Sequence, residues 1–459
     1  MLAPVRGAAA ARFARDPSGY CQRVQRRRLG GATAERARSG MWRWPVVSGF
    51  IAVPVAWALG SVRVETDAFV GLSAIGDQDA ARAMFQLTAT AVMAATTLTF
   101  SVTLLALQMA SQQFSPRLLR EFARDPVTKL VLCVLTASFT FSSAALLRLD
   151  GDEPAPALSM IAAFLLGASS FVAILGFITH MLRAVRVDTM MLNVHDDTVT
   201  AIELFYPPYG QQSPSLPDDL RDPRVVVTAG RSGFVQATDV HALVEAARSH
   251  DVFVCVDVRA GDQVIEGTPL ATVWGPGDIA ADIRRAVTIG YERTSDQDVA
   301  FGFRQLEDIA VKAMSPSIND PVTAAHAVGH MGALLVRLLR RRLGPTVHED
   351  VDGVPRAVVP DRDLRYYLDL TCGQLRRFGE SEPSVLAAML RMLRDVAYAS
   401  HDDEQRREVR RAAQLVVTQA SDIRDADMEI LGHLTHQVEL ALSGTPGAYD
   451  DRAGETRSL

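Results

Sequence analysis

At 459 residues and a net charge of −6, the chain is too long for one ordinary core and has no overall positive surplus to suit nucleic acid. Its four cysteines, Cys21, Cys133, Cys255 and Cys372, lie far apart with no Cys-x-x-Cys pair, which argues against a zinc site and a disulfide framework. Nearly all the positive charge is arginine, Lys129 and Lys312 being the only lysines, and a coding-sequence bias accounts for that.

Residues 1–43 form a basic segment that includes Arg26, Arg27 and Arg28. It lacks an apolar core followed by a cleavage site, so it does not read as a secretory signal. Two readings stay open: a disordered basic tail beside anionic lipid, or an over-long start ahead of Met41.

Four apolar windows follow at 44–62, 84–110, 127–147 and 156–182, each near the roughly 20 residues that a helix needs to cross a bilayer. Pro54 should kink the first. The connecting segments alternate in charge. The first loop carries Glu65, Asp67, Asp77 and Asp79, the second Arg117, Arg120, Arg124 and Lys129, and the third runs from Asp150 to Glu153. Arg183 and Arg186 close the fourth span. Arginine belongs on the inner side, so residues 44–182 should form a four-span helical bundle in the cell membrane with both termini cytoplasmic.

The second span is rich in hydroxyls. At about 100° per residue, Gln86, Thr90, Ala94, Thr97, Ser101, Gln108 and Gln112 share an arc of roughly 80°. Leu87, Leu98, Val102, Leu105 and Met109 form a second face suited to lipid, and Thr88, Thr96, Thr99 and Thr103 a third. The polar stripe either packs helices together or lines a watery pathway in an oligomer. No span carries a charged residue near its middle, which weakens a proton-coupled pump. On the fourth span Ala162, Ser169, Ala173, Gly176 and His180 share a packing face, His180 lying at the inner end as an anchor, with pH sensing as the alternative.

Residues 183–223 read as a stalk helix and a linker, broken by the Pro-rich stretch from Pro207 to Pro223. In residues 224–278 the period shortens to strands at 225–228, 233–236, 252–258 and 270–274, around a helix capped by Asp239. Gly261-Asp262 and Gly267 beside Val264 give this small β domain a barrel-sandwich character, without a lysine placed to carry a lipoyl or biotinyl group. Residues 279–443 read as an amphipathic helical domain, and 444–459 as a disordered tail. The expected architecture is thus a membrane α-helical bundle followed by a cytoplasmic α+β region.

The densest polar cluster is Glu292, Arg293, Thr294, Asp296, Gln297 and Asp298, continued by Arg304, Gln305, Glu307 and Asp308. It is either an ion-paired surface between helices, or a polar or metal site completed by Asn319 and Asp320. Asp320 is placed to cap a helix that Pro321 begins. No phosphate cradle, Gly-x-Ser-x-Gly elbow or His-Glu-x-x-His is found, so no catalytic residue, cofactor or metal is assigned and no enzyme is expected.

The chain resembles a bacterial membrane-protein family designated domain of unknown function 2254. The likeness rests on Leu107-Gln108 and Gln113-Phe114-Ser115-Pro116-Arg117-Leu118-Leu119, then Gly261-Asp262-Gln263-Val264, Gln297-Asp298, Arg304-Gln305-Leu306 and Asp308-Ile309-Ala310. Ser315-Pro316-Ser317-Ile318-Asn319-Asp320-Pro321-Val322-Thr323-Ala324 completes it. The resemblance implies a cell-membrane protein and carries over no activity. Two functions are therefore expected in rank order. The first is a homo-oligomeric, channel-like protein gated by its cytoplasmic region. The second is a membrane-anchored regulatory or scaffold protein that binds a partner, or a small ligand or ion, in the cytoplasm.

Overall fold

The structure is a computed structural model and describes residues 43–62, 78–113, 125–149, 157–184, 186–211, 214–217, 225–421 and 423–445. It divides into two compact units, Met1–Thr189 and Met190–Leu459.

The first unit contains helices α1 (Arg43–Ser61), α2 (Gln78–Gln113), α3 (Pro126–Leu147) and α4 (Ala157–Ala184). All four are long and apolar enough to cross a membrane. Helix α3 is the central one, with 44% of its apolar window buried against 17–22% in the others. Asp125 starts it by accepting the Val127 and Thr128 backbone N–H groups, with Pro126 in the first turn, where a missing N–H costs nothing. Small and hydroxyl residues bring its neighbours close. Gly49 of α1 faces Thr136 and Thr140, and Ser138 of α3 shares a 2.8 Å hydrogen bond with Ser170 of α4. Phe85, Leu135, Phe141 and Phe177 fill the interior. Outward, Phe50, Leu87, Phe164, Phe171 and Leu182 are exposed. An apolar surface of this kind is stable against hydrocarbon and costly in water.

Helix α5 (Val187–Phe205) leads into the second unit, where strands β1 (Val225–Thr228), β2 (Gly233–Thr238), β3 (Phe253–Val256), β4 (Gln263–Val264) and β5 (Pro269–Trp274) surround α6 (Val240–Ser249). These form close to where the residue pattern put them, with Asp239 capping α6 as expected. Helix α7 (Ala280–Ala286) and strand β6 (Val287–Gly290) follow, then helices α8 (Val299–Ala313) and α9 (Pro321–Leu339). Strands β7 (Thr346–Glu349) and β8 (Pro355–Val359) precede helices α10 (Leu364–Phe378), α11 (Pro383–Tyr398), α12 (Asp403–Thr418) and α13 (Asp425–Ser443).

The strands make a mixed sheet in the order β1-β5-β3-β8-β7, with β3 and β8 parallel, and a smaller antiparallel sheet β4-β2-β6. Three of these strands, β6, β7 and β8, come from the stretch read as purely helical. They are short and half-polar, with Asp350–Gly353 turning between β7 and β8, so no apolar run announces them. Val235, Leu243, Val254, Val256, Leu270 and Ala357 belong to the core that joins sheet and helix.

Helix α9 is the fifth helix among the described residues that is long and apolar enough to cross a membrane, so the span count is not fixed by length and composition alone. Half of its apolar window is buried. Ala324, Val328, Met331, Leu335 and Leu338 are buried within the unit, and a side chain added at Gly332 would meet Met392 of α11.

Candidate functional site

Helix α2 shows which of its faces the bundle uses. Ala81, Phe85, Val92, Thr99 and Ala106 are buried, with Thr88, Thr96 and Thr103 half-buried beside them. On a helical wheel this side lies about 180° from the stripe. Gln86, Thr90, Thr97, Ser101 and Gln108 are all exposed. The hydroxyls of Thr97 and Ser101 donate to the Met93 and Thr97 carbonyls, at 3.1 and 2.9 Å, which satisfies their protons. Leu87, Leu98, Leu105 and Met109 are exposed on the adjoining face, while Val102, read as lipid-facing, packs partly inside. Helix α2 continues through Gln112, of whose side chain nothing is described, and Ser115, Pro116 and Arg117 lie outside the described residues. On the neighbouring helices, His180 Nε2 near the end of α4 lies 3.1 Å from Asp125, so the histidine is tied to the α3 cap.

In the second unit, the Gln297-Asp298 pair does two jobs at the start of α8. The Gln297 amide accepts the Thr238 N–H at 2.9 Å and donates to the Thr238 carbonyl at 3.3 Å, closing the end of β2 as another strand would. Asp298, fully buried, accepts the Phe301 N–H at 3.2 Å as the α8 cap and is ion-paired with Arg293 and, at 3.5 Å, Arg362. Gly261 presses against this pair with φ +89°, and a side chain there would land on the Asp298 carboxylate. The neighbouring Asp262 accepts from Arg259 and Arg362.

Arg362 thus enters the site from the strand-to-helix turn before α10, where no spacing in the sequence links it to Asp298. The Tyr366 ring lies 5.1 Å from its guanidinium. Beside it, burial raises the Asp361 pKa against the backbone N–H of Arg362 and the hydroxyl of Tyr206. Tyr206 and Tyr367 share a buried 2.7 Å hydrogen bond. An open hollow of about 500 Å³ lies over these groups, lined among others by Gly261, Asp262, Gln263, Arg293, Arg362 and Tyr366.

The remaining motif residues do not join this site. Arg304 pairs with the buried Glu307, whose pKa burial pushes up to about 7 despite the arginine, and Asp308 is half-buried on the same helix. Ser315–Asp320 make the turn between α8 and α9. The Ile318 and Asn319 N–H groups donate to the Ser315 carbonyl, and Asn319 takes φ +50°, a conformation that asparagine tolerates. Pro316 is exposed in this turn, Pro321 begins α9, and Asp320 caps it through Thr323 at 3.0 Å, which holds its pKa down. Asp298 and Asp320 therefore sit at opposite ends of the 15-residue α8, about 22 Å apart along its axis. The metal site completed by Asn319 and Asp320 is not assembled, and among the described residues no three His, Cys, Asp or Glu side chains gather as metal ligands.

The family model described as "Predicted membrane protein (DUF2254)" matches residues 38–395. An uncharacterized protein of Mycobacterium bovis and one of Mycobacterium tuberculosis are each 34% identical over 339 residues, covering 70% of this chain. The chain spans 64% of the length of these curated relatives. No solved structure matches.

Proposed function

The chain belongs to the DUF2254 family of predicted membrane proteins, and from that premise we propose that it is a homo-oligomeric, channel-like permeation protein with a cytoplasmic gating region. The observation that carries this reading is the α2 stripe. Its polar atoms lie on the side of the helix that the other described residues leave uncovered. Hydroxyls and amides facing hydrocarbon are costly, so Gln86, Thr90, Thr97, Ser101 and Gln108 call for other copies of α2, water, or both. The absence of charge near the middle of α2 fits passive permeation better than proton-coupled pumping.

We count four spans rather than five. Helix α9 has neighbouring helices over its apolar side, and it carries His326 and His330. With four spans, the arginine pattern puts both termini and the second unit in the cytoplasm of a cell membrane. We read the protein as non-enzymatic, with the bilayer and further copies of itself as partners. The turns at Gly261 and Gly267, both with positive φ beside β4, favour a barrel-sandwich-like reading of the small β region.

Cysteine accessibility scanning of the full chain in membranes tests the proposal. Thr90→Cys, Thr97→Cys and Ser101→Cys should react with an aqueous thiol reagent, while Leu98→Cys and Leu105→Cys stay protected. Protection of the three stripe positions would leave the spans as an anchor for a regulatory or scaffold region.

A further inference from the structure

One buried donor at the hollow over Gly261 lacks an acceptor among the described residues. A guanidinium presents five N–H donors in a rigid fork. Arg362 has 5% of its side chain exposed; it spends Nη1 on Asp298 and Nη2 on the Ala260 carbonyl and Asp262, and its Nε has no acceptor among the described residues. The acceptors nearby are already engaged. Asp298 gives one oxygen to Arg293 and the other to Phe301 N–H and Arg362. Asp262 gives one oxygen to the backbone N–H and Nε of Arg259, and the other to Arg362. Asp361 accepts from the Tyr206 hydroxyl and the Arg362 N–H, and its burial favours the neutral form.

We propose that this hollow binds an oxyanion group, the phosphoryl or carboxylate end of a small soluble organic molecule, between the guanidiniums of Arg293 and Arg362. Both arginines lie on its wall. Each guanidinium carries a full positive charge, and a charge-assisted N–H···O contact from each to a separate oxygen would hold one anion between them. The Tyr366 ring against Arg362 and the Asp298 carboxylate behind both arginines hold the two planes in place before any ligand arrives. Val258, Ile265 and Pro269 supply an apolar wall for the uncharged part of the ligand. At about 500 Å³ the space suits a small metabolite rather than a macromolecule. The site stands whether or not the spans conduct.

Calorimetric titration of the full chain in detergent with pyrophosphate and with citrate, at constant ionic strength, tests the site. Saturable binding of at least one of them with Kd of about 1 mM or tighter is expected. Arg293→Gln should abolish it. Gln263→Glu adds a negative charge at an exposed residue of the same hollow that makes none of the ion pairs described above, and should weaken binding about tenfold with an unchanged Tm. Failure of both anions to saturate, or an affinity unmoved by Gln263→Glu in a protein that melts normally, would overturn the proposal. If Arg293→Gln does not fold, the Gln263→Glu variant still decides.

Discussion

Asp298 concentrates several functions in one carboxylate: it caps α8, neutralises Arg293 and Arg362, and rests on Gly261. Asp298→Ala removes the cap and leaves two guanidiniums partly buried without their counter-charge, which should cost about 3–5 kcal/mol. Asp298→Asn keeps an oxygen for the Phe301 N–H and should lose clearly less. The melting temperatures of the two variants in detergent check the order, and equal losses would refute this account of the carboxylate. Glu307 gives a pH signature. Its burial raises the folded-state pKa from 4.5 to about 7, so the folded state holds the proton more tightly than the unfolded chain. The resulting stability is full below about 4.5 and is lost as pH rises towards 7, up to about 3 kcal/mol. His348 acts oppositely, since burial lowers its pKa to about 4 and its stability is lost as pH falls from 6.5. Glu307→Gln should therefore make Tm rise more steeply between pH 5 and 7 than in the parent chain; an unaltered profile would show that Glu307 is not protonated in that range. The sequence marked Gln297, Asp298 and Arg304 as a polar run but not their division of labour, and the Asp298 cap emerged only in the structure. The Asp320 cap was legible beside Pro321, whereas Arg362 reaches the site only through the tertiary fold.

At the scale of elements, two close approaches carry testable consequences. Gly302 of α8 lies against the Thr198 hydroxyl of α5, with no room for a Cβ. Gly302→Val must push the helices apart and should destabilise the second unit by about 2–4 kcal/mol, read as faster hydrogen exchange in both helices. In the first unit, Ser138 bonds both Ser170 and the Leu166 carbonyl across α3 and α4. Ser138→Ala should cost about 1 kcal/mol in resistance to denaturation in mixed micelles, the scale of a hydrogen bond between membrane helices. No change on that substitution would mean the serines only permit close packing. The long apolar helices and strands β1, β2, β3 and β5 were legible because their periodicity runs over several residues. Strands β6 and β8 were not, because they are short and pair with β2 and β3, distant in sequence, and β7 is a half-polar edge strand paired with β8. Hydropathy alone marks α9 as it marks the four helices of the first unit, and half of its apolar window is buried against 44% in α3.

For the molecule as a whole, the division into an apolar helical unit and a mixed α/β unit follows from where the chain spends its hydrophobic residues. The first unit keeps large apolar side chains on its outside, and the second buries them. On the proposed reading, lipid covers most of that outer surface and the exposed polar stripe of α2 meets a second copy of the same helix, which presents matching donors and acceptors. The most direct measurement is oxidative cross-linking in native membranes of Thr97→Cys, in a chain whose Cys21, Cys133, Cys255 and Cys372 have been replaced by serine. The account predicts a disulfide-linked dimer from Thr97→Cys and none from Leu105→Cys on the lipid face. A Thr97→Cys chain that stays monomeric under oxidant, while remaining inserted and folded, would contradict it.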